Sequence, residues 1–464
     1  MKNPQAIHLV WFRQDLRLSD HPALYHAMAE GDPVVALFTA HPQQHERHSE
    51  APLKYDFYLA HVLDLVDRLK KLGVGSVIKE LPWFDDVPAF LSDLCAQLPV
   101  KHLSYHASYW PNEVKRDQQV VKVLTEQGVN CHSYHATNLL KPGTVRKSDG
   151  NMYHVFTPYK NKYLEALKAN HQWPLPVPAP QTENTTELPE LKQLGDEVNV
   201  DFDHAKWPVG EAAAVQRLKD FVVDNDYQKY RDLPAIRGTS RLSPYLFNGA
   251  ISVKTCLAHQ LKQEGEAAFD STWVSELIWR DFYHDLMFEY PKLAKHQTFK
   301  EDAVDEWLNQ PEVFEQWQQG QTGFPIVDAG MRQMLAEGWM HNRVRMIVAS
   351  FLTKLCLIDW RLGEAHFMQH LLDGDLASNN GGWQWSSATG CDAAPYFRIF
   401  NPTTQSKKFD PEGEYIKKYV PELRDCDAKT IHDPAVGTRQ QLGYPEPIID
   451  YKSARQQALD WFKK

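Results

Sequence analysis

The sequence predicts two domains of different fold class: an α/β domain built on a parallel sheet, and a large all-α domain after it. Over roughly the first 135 residues, short apolar runs alternate with amphipathic stretches, which is the pattern of strands joined by helices. A proline-rich stretch follows, and beyond it apolar residues recur at helical spacing. The chain has 464 residues, which is too long for a single hydrophobic core.

Five short runs predict the strands of the first domain, at residues 7–12, 33–38, 76–81, 102–105 and 130–133. Residues 55–72 have apolar side chains at helical spacing, so they predict a crossover helix and therefore parallel strands. No GxGxxG motif follows the first run, where the chain reads Arg13-Gln14-Asp15-Leu16-Arg17. The expected architecture is a five-stranded, Rossmann-like sheet without the glycine-rich dinucleotide site.

Prolines mark the boundary between the two predicted domains. Between residues 174 and 189 the chain is proline-rich and polar, which predicts an extended, solvated connector. Beyond Trp207, apolar periodicity predicts helices at residues 211–223, 273–288 and 324–337. We therefore divide the chain into an α/β domain at residues 1–135, an interdomain connector at 136–205 and a helical domain at 206–464.

Composition narrows the class of protein. The formal net charge is -10, so any nucleic-acid contact must use a local basic patch rather than bulk charge. The six cysteines lack CxxC or Cys/His spacing, so neither a disulfide framework nor a metal site is expected. Residues 1–4 carry no apolar signal run, and no apolar run is long enough to span a bilayer. We expect a soluble, cytoplasmic protein.

The segment from Asp373 to Trp385 is unlike an ordinary core segment. It combines carboxylates, amides, the pair Gly381-Gly382 and two indoles. Polar groups that can hydrogen-bond a planar heterocycle, beside indoles that can stack or pass electrons, are what a redox cofactor pocket requires. The same residues would also suit a glycine-rich turn with two structural tryptophans. The residues of this segment alone leave both interpretations open.

Three further segments each allow a functional and a structural interpretation. Residues 238–246 place hydroxyls and Arg241 before a helix, as an anion site or a simple N-cap would. Glu276 lies at helical spacing from two indoles and Arg280, so it is either a poorly solvated functional carboxylate or half of a helix ion pair. Residues 338–346 supply amide, guanidinium and thioether groups, for a pocket or for a basic helix face.

Taken in order, these motifs resemble the photolyase/cryptochrome family over nearly the whole chain. The matching stretches are residues 10–17, 239–243, 276–280, 339–343, 373–375, 379–383 and 394–402. The closest resemblance is to bacterial class I cyclobutane pyrimidine dimer photolyases of the folate-antenna type. It implies a monomeric carbon–carbon lyase that uses light to repair UV-damaged DNA, with FAD in the helical domain and a 5,10-methenyltetrahydrofolate antenna on the sheet domain. In that family, excited reduced FAD donates one electron to the dimer, the ring splits and the electron returns.

The resemblance assigns cofactor and electron-transfer roles by position. The residues expected to contact FAD are Tyr227, Thr239, Ser240, Arg241, Leu242, Ser243, Trp273, Asn342, Arg345, Asp373, Asp375 and Asn379. Asn379 would lie near the redox-active ring nitrogen. Asn at this position is similar to the repair enzymes, whereas plant cryptochromes usually have Asp and animal ones Cys. The tryptophans that match the family's electron-transfer chain are Trp383, Trp360 and Trp307.

The resemblance also implies contacts with DNA and with the antenna. A flipped-out pyrimidine dimer would be bound and split with the help of Glu276, Trp279, Asn342, Met346 and Trp385. The residues expected to contact DNA around it are Arg231, Trp279, Arg343, Trp385, Arg398 and Lys408. The residues at the family's folate-binding positions are His48, Asn112, Glu113 and Lys295.

Three related activities are the alternatives. A (6-4) photolyase usually carries a His pair near residues 342–346, and a DASH-type cryptochrome commonly has Gln at the position of Met346. This chain has Asn342 and Met346 instead. A signalling cryptochrome often has a long C-terminal tail, whereas this chain ends at Lys464, shortly after the helical domain. These features favour repair of the cyclobutane dimer.

Overall fold

The computed structural model describes residues 6–182, 184–223 and 226–463. The expected lack of a signal run at residues 1–4 and the chain's end at Lys464 therefore lie outside the described residues. Contacts between Cα atoms divide the chain into two compact units. The first comprises Met1–Tyr153, Thr157–Val222 and Arg241–Pro291, and the second comprises His154–Phe156, Val223–Ser240 and Lys292–Lys464.

A five-stranded parallel sheet lies in the first unit, as the alternating sequence pattern predicts. Its strands are β1 (Ile7–Phe12), β2 (Val34–Ala40), β3 (Gly75–Glu80), β4 (Val100–His106) and β5 (Asn130–Tyr134). Their spatial order is β3-β2-β1-β4-β5, and each neighbouring pair is parallel. The predicted fold class of this domain is confirmed.

Helices cover both faces of the sheet. They are α1 (Pro22–Ala29), α2 (Pro42–Arg47), α3 (Pro52–Lys71), α4 (Val87–Gln97) and α5 (Pro111–Glu126). Leu9 and Trp11 of β1 pack with buried residues of α4 and α5. Val10 and Phe12 belong to a second core cluster with residues of α1 and α3. Alternate side chains of one strand thus enter opposite cores, which explains why β1 is a continuous apolar run rather than an alternating one.

The described residues after β5 contain helices and no strand. The helices are α6 (Phe156–Asn170), α7 (Pro189–Leu194), α8 (Glu211–Val223), α9 (Tyr227–Tyr230), α10 (Ser243–Phe247), α11 (Val253–Glu264), α12 (Thr272–Glu289), α13 (Pro311–Gln318), α14 (Pro325–Glu337), α15 (Asn342–Ser350), α16 (Trp360–His370), α17 (Leu376–Ser387), α18 (Pro402–Phe409), α19 (Glu414–Tyr419), α20 (Val436–Leu442) and α21 (Tyr451–Trp461). Short 3-10 segments lie at Phe84–Asp86, Gly265–Asp270, Pro291–Lys295 and Pro421–Leu423, with a π-helix at Phe351–Leu355. Helices α8, α12 and α14 correspond to the three predicted from periodicity. None of the described helices has both the length and the hydropathy needed to cross a bilayer.

The loop after β1 is packed into the first unit. Arg13 forms an ion pair with Asp117 of α5 at 2.7 Å, and Arg17 donates to the carbonyl of Gly249 at 3.0 Å. A Cβ on Gly249 would lie 2.2 Å from the carbonyl oxygen of Gln14, and its φ is +74°. A glycine is therefore required there for both space and conformation. This loop takes the place of a glycine-rich phosphate loop and serves a structural purpose.

Asp15, at the centre of this loop, has the spacing of a metal ligand with two histidines. His21 Nε2 lies 3.1 Å, and His106 Nδ1 lies 3.0 Å, from its Oδ2. His21 Nδ1 accepts a hydrogen bond from the backbone N–H of Leu24, so the proton of this ring is on Nε2 and points to the carboxylate. A metal-bound histidine normally donates from its other nitrogen. The polarity of the bonds therefore indicates a carboxylate–imidazole network that fixes the loop.

The connector differs from its prediction beyond residue 180. Residues 173–180 are mostly exposed, as expected, but Thr185 is buried. Its hydroxyl donates to the carbonyl of Val34 at 2.8 Å, and Asp196 pairs with Lys79 of β3 at 2.8 Å. The expectation of a wholly solvated connector is wrong for this part, because its polar side chains satisfy backbone groups beside the sheet. Periodicity also missed α6, which lies within the predicted connector.

Candidate functional site

Helix α17 contains most of the unusual segment at residues 373–385. Asp375 caps it, accepting the backbone N–H of Ser378 at 2.8 Å. The interpretation as a glycine-rich turn is therefore wrong, because Gly381 and Gly382 lie inside the helix. A Cβ built on Gly382 would meet no protein atom within 4 Å. Packing against other protein atoms therefore does not require glycine at position 382. That glycine allows a ligand to approach this face of the helix closely remains a prediction.

An ion pair joins α15 to the loop before α17. Arg345 Nη2 donates to both carboxylate oxygens of Asp373, at 2.9 and 2.8 Å. Its Nε donates to the carbonyl of Met340 at 2.8 Å. Three hydrogen bonds thus hold a guanidinium and a carboxylate in fixed positions, and such charge-assisted bonds are stronger than neutral ones.

Asn379 on α17 has its amide orientation set by a neighbouring helix. Its Nδ2 donates to the backbone carbonyl of Glu364 on α16 at 3.0 Å. The Glu364 side chain is buried and accepts from Asn380 Nδ2 at 2.9 Å. Asn380 Oδ1 in turn accepts from Gln384 Nε2 at 2.9 Å. Together with the Arg345–Asp373 pair, Asn379 gives one region of the second unit fixed donors and acceptors, the chemistry that suits the edge of a planar heterocycle such as flavin.

His296 completes this network at the protein surface. It contacts Glu364 Oε2 at 2.8 Å, and its own side chain is half exposed. The hydrogen bond to Glu364 raises the pKa of His296 above 6.5. This contact favours the charged form of the imidazole beside the buried side chain of Glu364.

The other residues expected to contact FAD are distributed over both units. Tyr227, Thr239 and Ser240 belong to the second unit, where a Cβ on Gly238 would lie 2.4 Å from the carbonyl oxygen of Tyr230. The turn before Thr239 thus packs closely on the end of α9. The expected residues in the first unit are Arg241, Leu242, Ser243 and Trp273.

Helix α12 presents the candidate lesion-binding residues of the first unit. Ser271 caps the helix by accepting the N–H of Val274 at 3.2 Å. Trp279 is half-buried, with its ring edge-on to Phe282 at 5.6 Å. Glu276, one turn earlier, is also half-buried. The remaining candidates, which lie in the second unit, are Asn342, Met346 and Trp385.

Three tryptophans of the second unit run from its core to its surface. Trp383 and Trp360 are buried, whereas Trp307 is half-buried. A Cβ on Gly363 would lie 2.2 Å from the ring of Trp383. Gly363 is one turn after Trp360 on α16, so both indoles lie along the same face of that helix. The ring of Trp383 therefore packs directly against the backbone of α16, in a space that a larger residue at position 363 would fill.

The expected DNA-contacting cations differ in their surroundings. Arg343 pairs with Asp232 at 2.9 Å and lies 4.5 Å over the ring of Phe409. Arg398 is exposed on a loop whose carbonyls, at Pro395 and Arg398, accept from the buried ammonium of Lys354 at 3.1 Å each. The remaining expected cations are Arg231 and Lys408. Periodicity did not single out Asp232 or Lys354, since neither position belongs to a recognisable motif.

Two of the expected antenna residues meet in the first unit. Asn112 Nδ2 and His48 Nε2 lie 3.3 Å apart. Glu113 follows Asn112 in the first turn of α5, and burial raises the pKa of its carboxyl, a shift that the nearby Arg116 opposes. The fourth expected residue, Lys295, lies in the second unit.

Comparison with known proteins confirms the family that the motifs resemble. The protein-family model described as DNA photolyase matches residues 8–181. The family model described as FAD binding domain of DNA photolyase matches residues 273–464. The deoxyribodipyrimidine photo-lyase of Escherichia coli (strain K12) is 44% identical over 465 residues, covering 97% of each chain. The solved class III photolyase of Agrobacterium tumefaciens is 33% identical, with a TM-score of 0.85 over 100% of this chain and 98% of its own. An archaeal photolyase of Sulfolobus tokodaii, solved with two FAD molecules, is 30% identical, with a TM-score of 0.82 over 98% of this chain and 99% of its own.

The His296–Glu364 contact predicts a specific pH dependence. Because the pKa of His296 is raised in the folded protein, the contact stabilises fully below pH 6.5, and its contribution is lost as pH rises through the folded pKa. In thermal unfolding from pH 5 to 8.5, His296→Gln should lower the midpoint most at pH 5 and have little effect at pH 8.5.

His259 is the matched control for this measurement. Burial lowers the pKa of His259, so protonation of this imidazole destabilises the folded protein. His259→Gln should therefore raise the unfolding midpoint most at low pH. A midpoint loss for His296→Gln that does not change with pH would contradict the assigned role of the contact.

Proposed function

We propose, from the premise that this chain belongs to the DNA photolyase family, that it uses light to split cyclobutane pyrimidine dimers in UV-damaged DNA. The observation that carries the proposal is the near-full-length match to deoxyribodipyrimidine photo-lyases. The test is repair of a defined thymine dimer under blue light, in duplex and in single-stranded DNA. Repair of duplex dimers supports the proposal. Repair confined to single strands would indicate a DASH-type activity, and no repair would contradict a lyase function.

The chain binds FAD through its matched FAD-binding domain. Bound FAD supplies the light-driven one-electron chemistry. The protein supplies position and electrostatics: Asn379, with its amide nitrogen bound to Glu364, presents a defined atom to its ligand, and the Arg345–Asp373 pair fixes a charged edge. The turn residues from Thr239 to Ser243 would hold the phosphate and ribitol parts.

The lesion would be held by groups that suit a flipped, poorly stacked pair of pyrimidines. Trp279 and Trp385 offer faces for stacking, which is worth about 1–3 kcal/mol per base. Asn342 and Met346 supply an amide and a soft apolar contact. The Glu276 carboxyl would stabilise charge that builds on a pyrimidine carbonyl.

Glu276→Ala should reduce repair yield per absorbed photon by about two- to tenfold in flavin-replete protein. This loss is smaller than the ~100-fold or more for an oxyanion donor in a thermal enzyme, because light supplies the driving force. The matched control is Glu289→Ala, at the far end of α12, where the carboxylate pairs with Arg146. Equal yields for all three proteins would remove Glu276 from the mechanism.

DNA binding would exchange a protein carboxylate for a phosphate at Arg343. The Nε and Nη2 groups of Arg343 both donate to Oδ1 of Asp232, and a backbone phosphate can accept from the same two nitrogens. The exposed Arg398 would add a second phosphate contact. Binding should therefore depend on salt although the net charge of the chain is -10.

Two substitutions should change affinity for damaged duplex DNA in opposite directions. Arg343→Ala should weaken binding and reduce the slope of log affinity against log salt by about 0.9, the value for one phosphate. Asp232→Asn should strengthen binding, because the guanidinium no longer has to leave a carboxylate. The control is Arg332→Ala, which removes the same charge from a pair with Glu422 outside the expected DNA contacts. A wild-type slope for Arg343→Ala would exclude this residue from the interface.

A folate antenna would use the His48, Asn112 and Glu113 positions. A carboxylate can accept two parallel N–H bonds from the amino and ring groups of a pterin, and Asn112 would complement it. The alternative is that Glu113 only begins α5 after Pro111, where an acidic residue suits the helix dipole.

Reconstitution with 5,10-methenyltetrahydrofolate separates these two roles. Glu113→Ala should lose the near-ultraviolet band of bound folate and retain the flavin band. Glu126→Ala, at the exposed end of the same helix, should retain both. Equal folate occupancy in the two variants would support the helix-start role.

Trp383, Trp360 and Trp307 would carry electrons from the surface to the flavin during photoreduction. The chain would act as a monomer in the cytoplasm. In support of a reducing compartment, the six cysteines are all free in the structure.

A further inference from the structure

An ion pair lies between the outer two tryptophans of the second unit. Arg361 Nη2 and Nη1 contact the two carboxylate oxygens of Asp305 at 2.7 and 2.8 Å. Arg361 Nε also donates to the carbonyl of His296 at 2.7 Å. The bidentate ion pair and this third hydrogen bond fix the orientation of the guanidinium relative to the carboxylate.

Both members of the pair interact with the neighbouring indoles. The guanidinium carbon of Arg361 lies 4.8 Å from the ring centroid of Trp360. The carboxylate of Asp305 accepts the indole N–H of Trp307 at 3.1 Å. A positive charge thus faces the inner ring, whereas the carboxylate accepts from the outer indole and also interacts with the side chain of Trp360.

These two charges act on electron loss in opposite senses. A cation over a ring makes removal of an electron from that ring less favourable, whereas a carboxylate on an indole N–H makes it more favourable. Asp359 also contacts Arg361, at 3.2 Å, and offsets part of the guanidinium charge at Trp360. At Trp360 the guanidinium over the ring opposes the charge of the carboxylates, whereas at Trp307 the Asp305 carboxylate acts through a direct hydrogen bond to the indole N–H.

We propose that Asp305, held by Arg361, is a positioning residue that stabilises the electron vacancy on Trp307. The inference rests on the proposed function, in which photoexcited oxidised flavin is the oxidant. One electron passes from Trp307 to the oxidised indole of Trp360, whose own electron has moved inward by way of Trp383. Trp307 becomes a radical cation and Trp360 is restored, so that charge and electrons balance.

Asp305 acts through its charge and not as a base. Burial would raise its pKa, but the hydrogen bonds from Arg361 and Trp307 outweigh burial and hold the pKa below its ordinary value. The carboxylate therefore stays ionised at neutral pH, and its affinity for the Trp307 proton is low. Its contribution should be constant from pH 6 to pH 8.

The test compares variants of the flavin-bound protein by flash-induced absorption of the tryptophan radical. Asp305→Asn should shorten the life of the separated charges by about tenfold, the effect of a single nearby charge in a partly exposed site. Asp305→Glu should restore most of the lifetime. Glu306→Gln removes the same charge from the next residue, which is exposed and whose backbone carbonyl accepts from Trp461, and it should match wild type.

A second measurement does not depend on photochemistry. The indole N–H nuclear magnetic resonance signal of Trp307, identified by its loss in Trp307→Phe, should move on Asp305→Asn and stay in place on Glu306→Gln. An unmoved signal would mean that the hydrogen bond does not exist in solution, which overturns the proposal.

Trp307→Phe separates the failure of this inference from the failure of the proposed route. If Trp307→Phe forms stable separated charges as wild type does, the route ends at another residue and the proposed electron chain is wrong. If Trp307→Phe abolishes them while Asp305→Asn equals wild type, the route is right and the role of Asp305 is wrong.

Discussion

One buried carboxylate, that of Glu364, determines how the second unit presents its functional residues. It lies on α16, accepts from Asn380 of α17 and contacts His296 of the preceding segment. Burying a carboxyl group is costly unless each of its oxygens has a partner. Here Oε1 and Oε2 each have one, so three segments are held in a single arrangement. Asn379 is next to Asn380 in the chain, and its amide is oriented by a hydrogen bond to the backbone carbonyl of the same glutamate.

The same helix also positions the residues of the proposed electron-transfer route. Within four consecutive positions, α16 places Trp360, Arg361 and Gly363. Trp360 is a buried indole, and Arg361 forms the ion pair with Asp305. Gly363 lacks a side chain and so leaves space for the ring of Trp383. A shift of α16 would therefore disturb Asn379, the proposed flavin contact, and the proposed tryptophan route together. This coupling explains why its next residue, Glu364, is tied by polar bonds rather than by apolar packing alone, since hydrogen bonds specify one register where apolar contact would tolerate several.

Much of the fold could be predicted from the sequence because buried parallel strands and amphipathic helices leave strong periodic signals. The segment at residues 373–385 shows the limit of such reasoning. Its residue types indicated a cofactor site, but asparagines and paired glycines are poor helix formers, and the helix there was not predicted. It forms because Asp375 caps it and because Asn380 and Gln384 are bound by partners elsewhere in the fold. The roles of Asn379 and the tryptophans came from family resemblance, which carries information that periodicity lacks.

Pairs that are distant in the chain were beyond sequence reasoning for a physical reason. Asp232 and Arg343 are separated by 111 positions, and Asp305 and Arg361 by 56; no local pattern links either pair. Each carboxylate nevertheless contacts a residue that the sequence did identify: Asp232 contacts Arg343, and Asp305 contacts Trp307. The charge of Arg343 is already neutralised by an ion pair with Asp232.

This neutralisation bears on how an acidic protein selects damaged DNA. With a net charge of -10, undamaged duplex gains little from bulk attraction, and at Arg343 its phosphate only replaces an existing partner, so the net gain from that contact is small. A duplex that also delivers a flipped dimer would add the proposed stacking on Trp279 and Trp385, worth about 1–3 kcal/mol per base, which undamaged DNA cannot supply without the cost of unstacking. Discrimination would then come from the lesion rather than from the backbone. Removing the Asp232 carboxylate should therefore strengthen binding to undamaged and damaged duplexes by similar factors, leaving their ratio nearly unchanged.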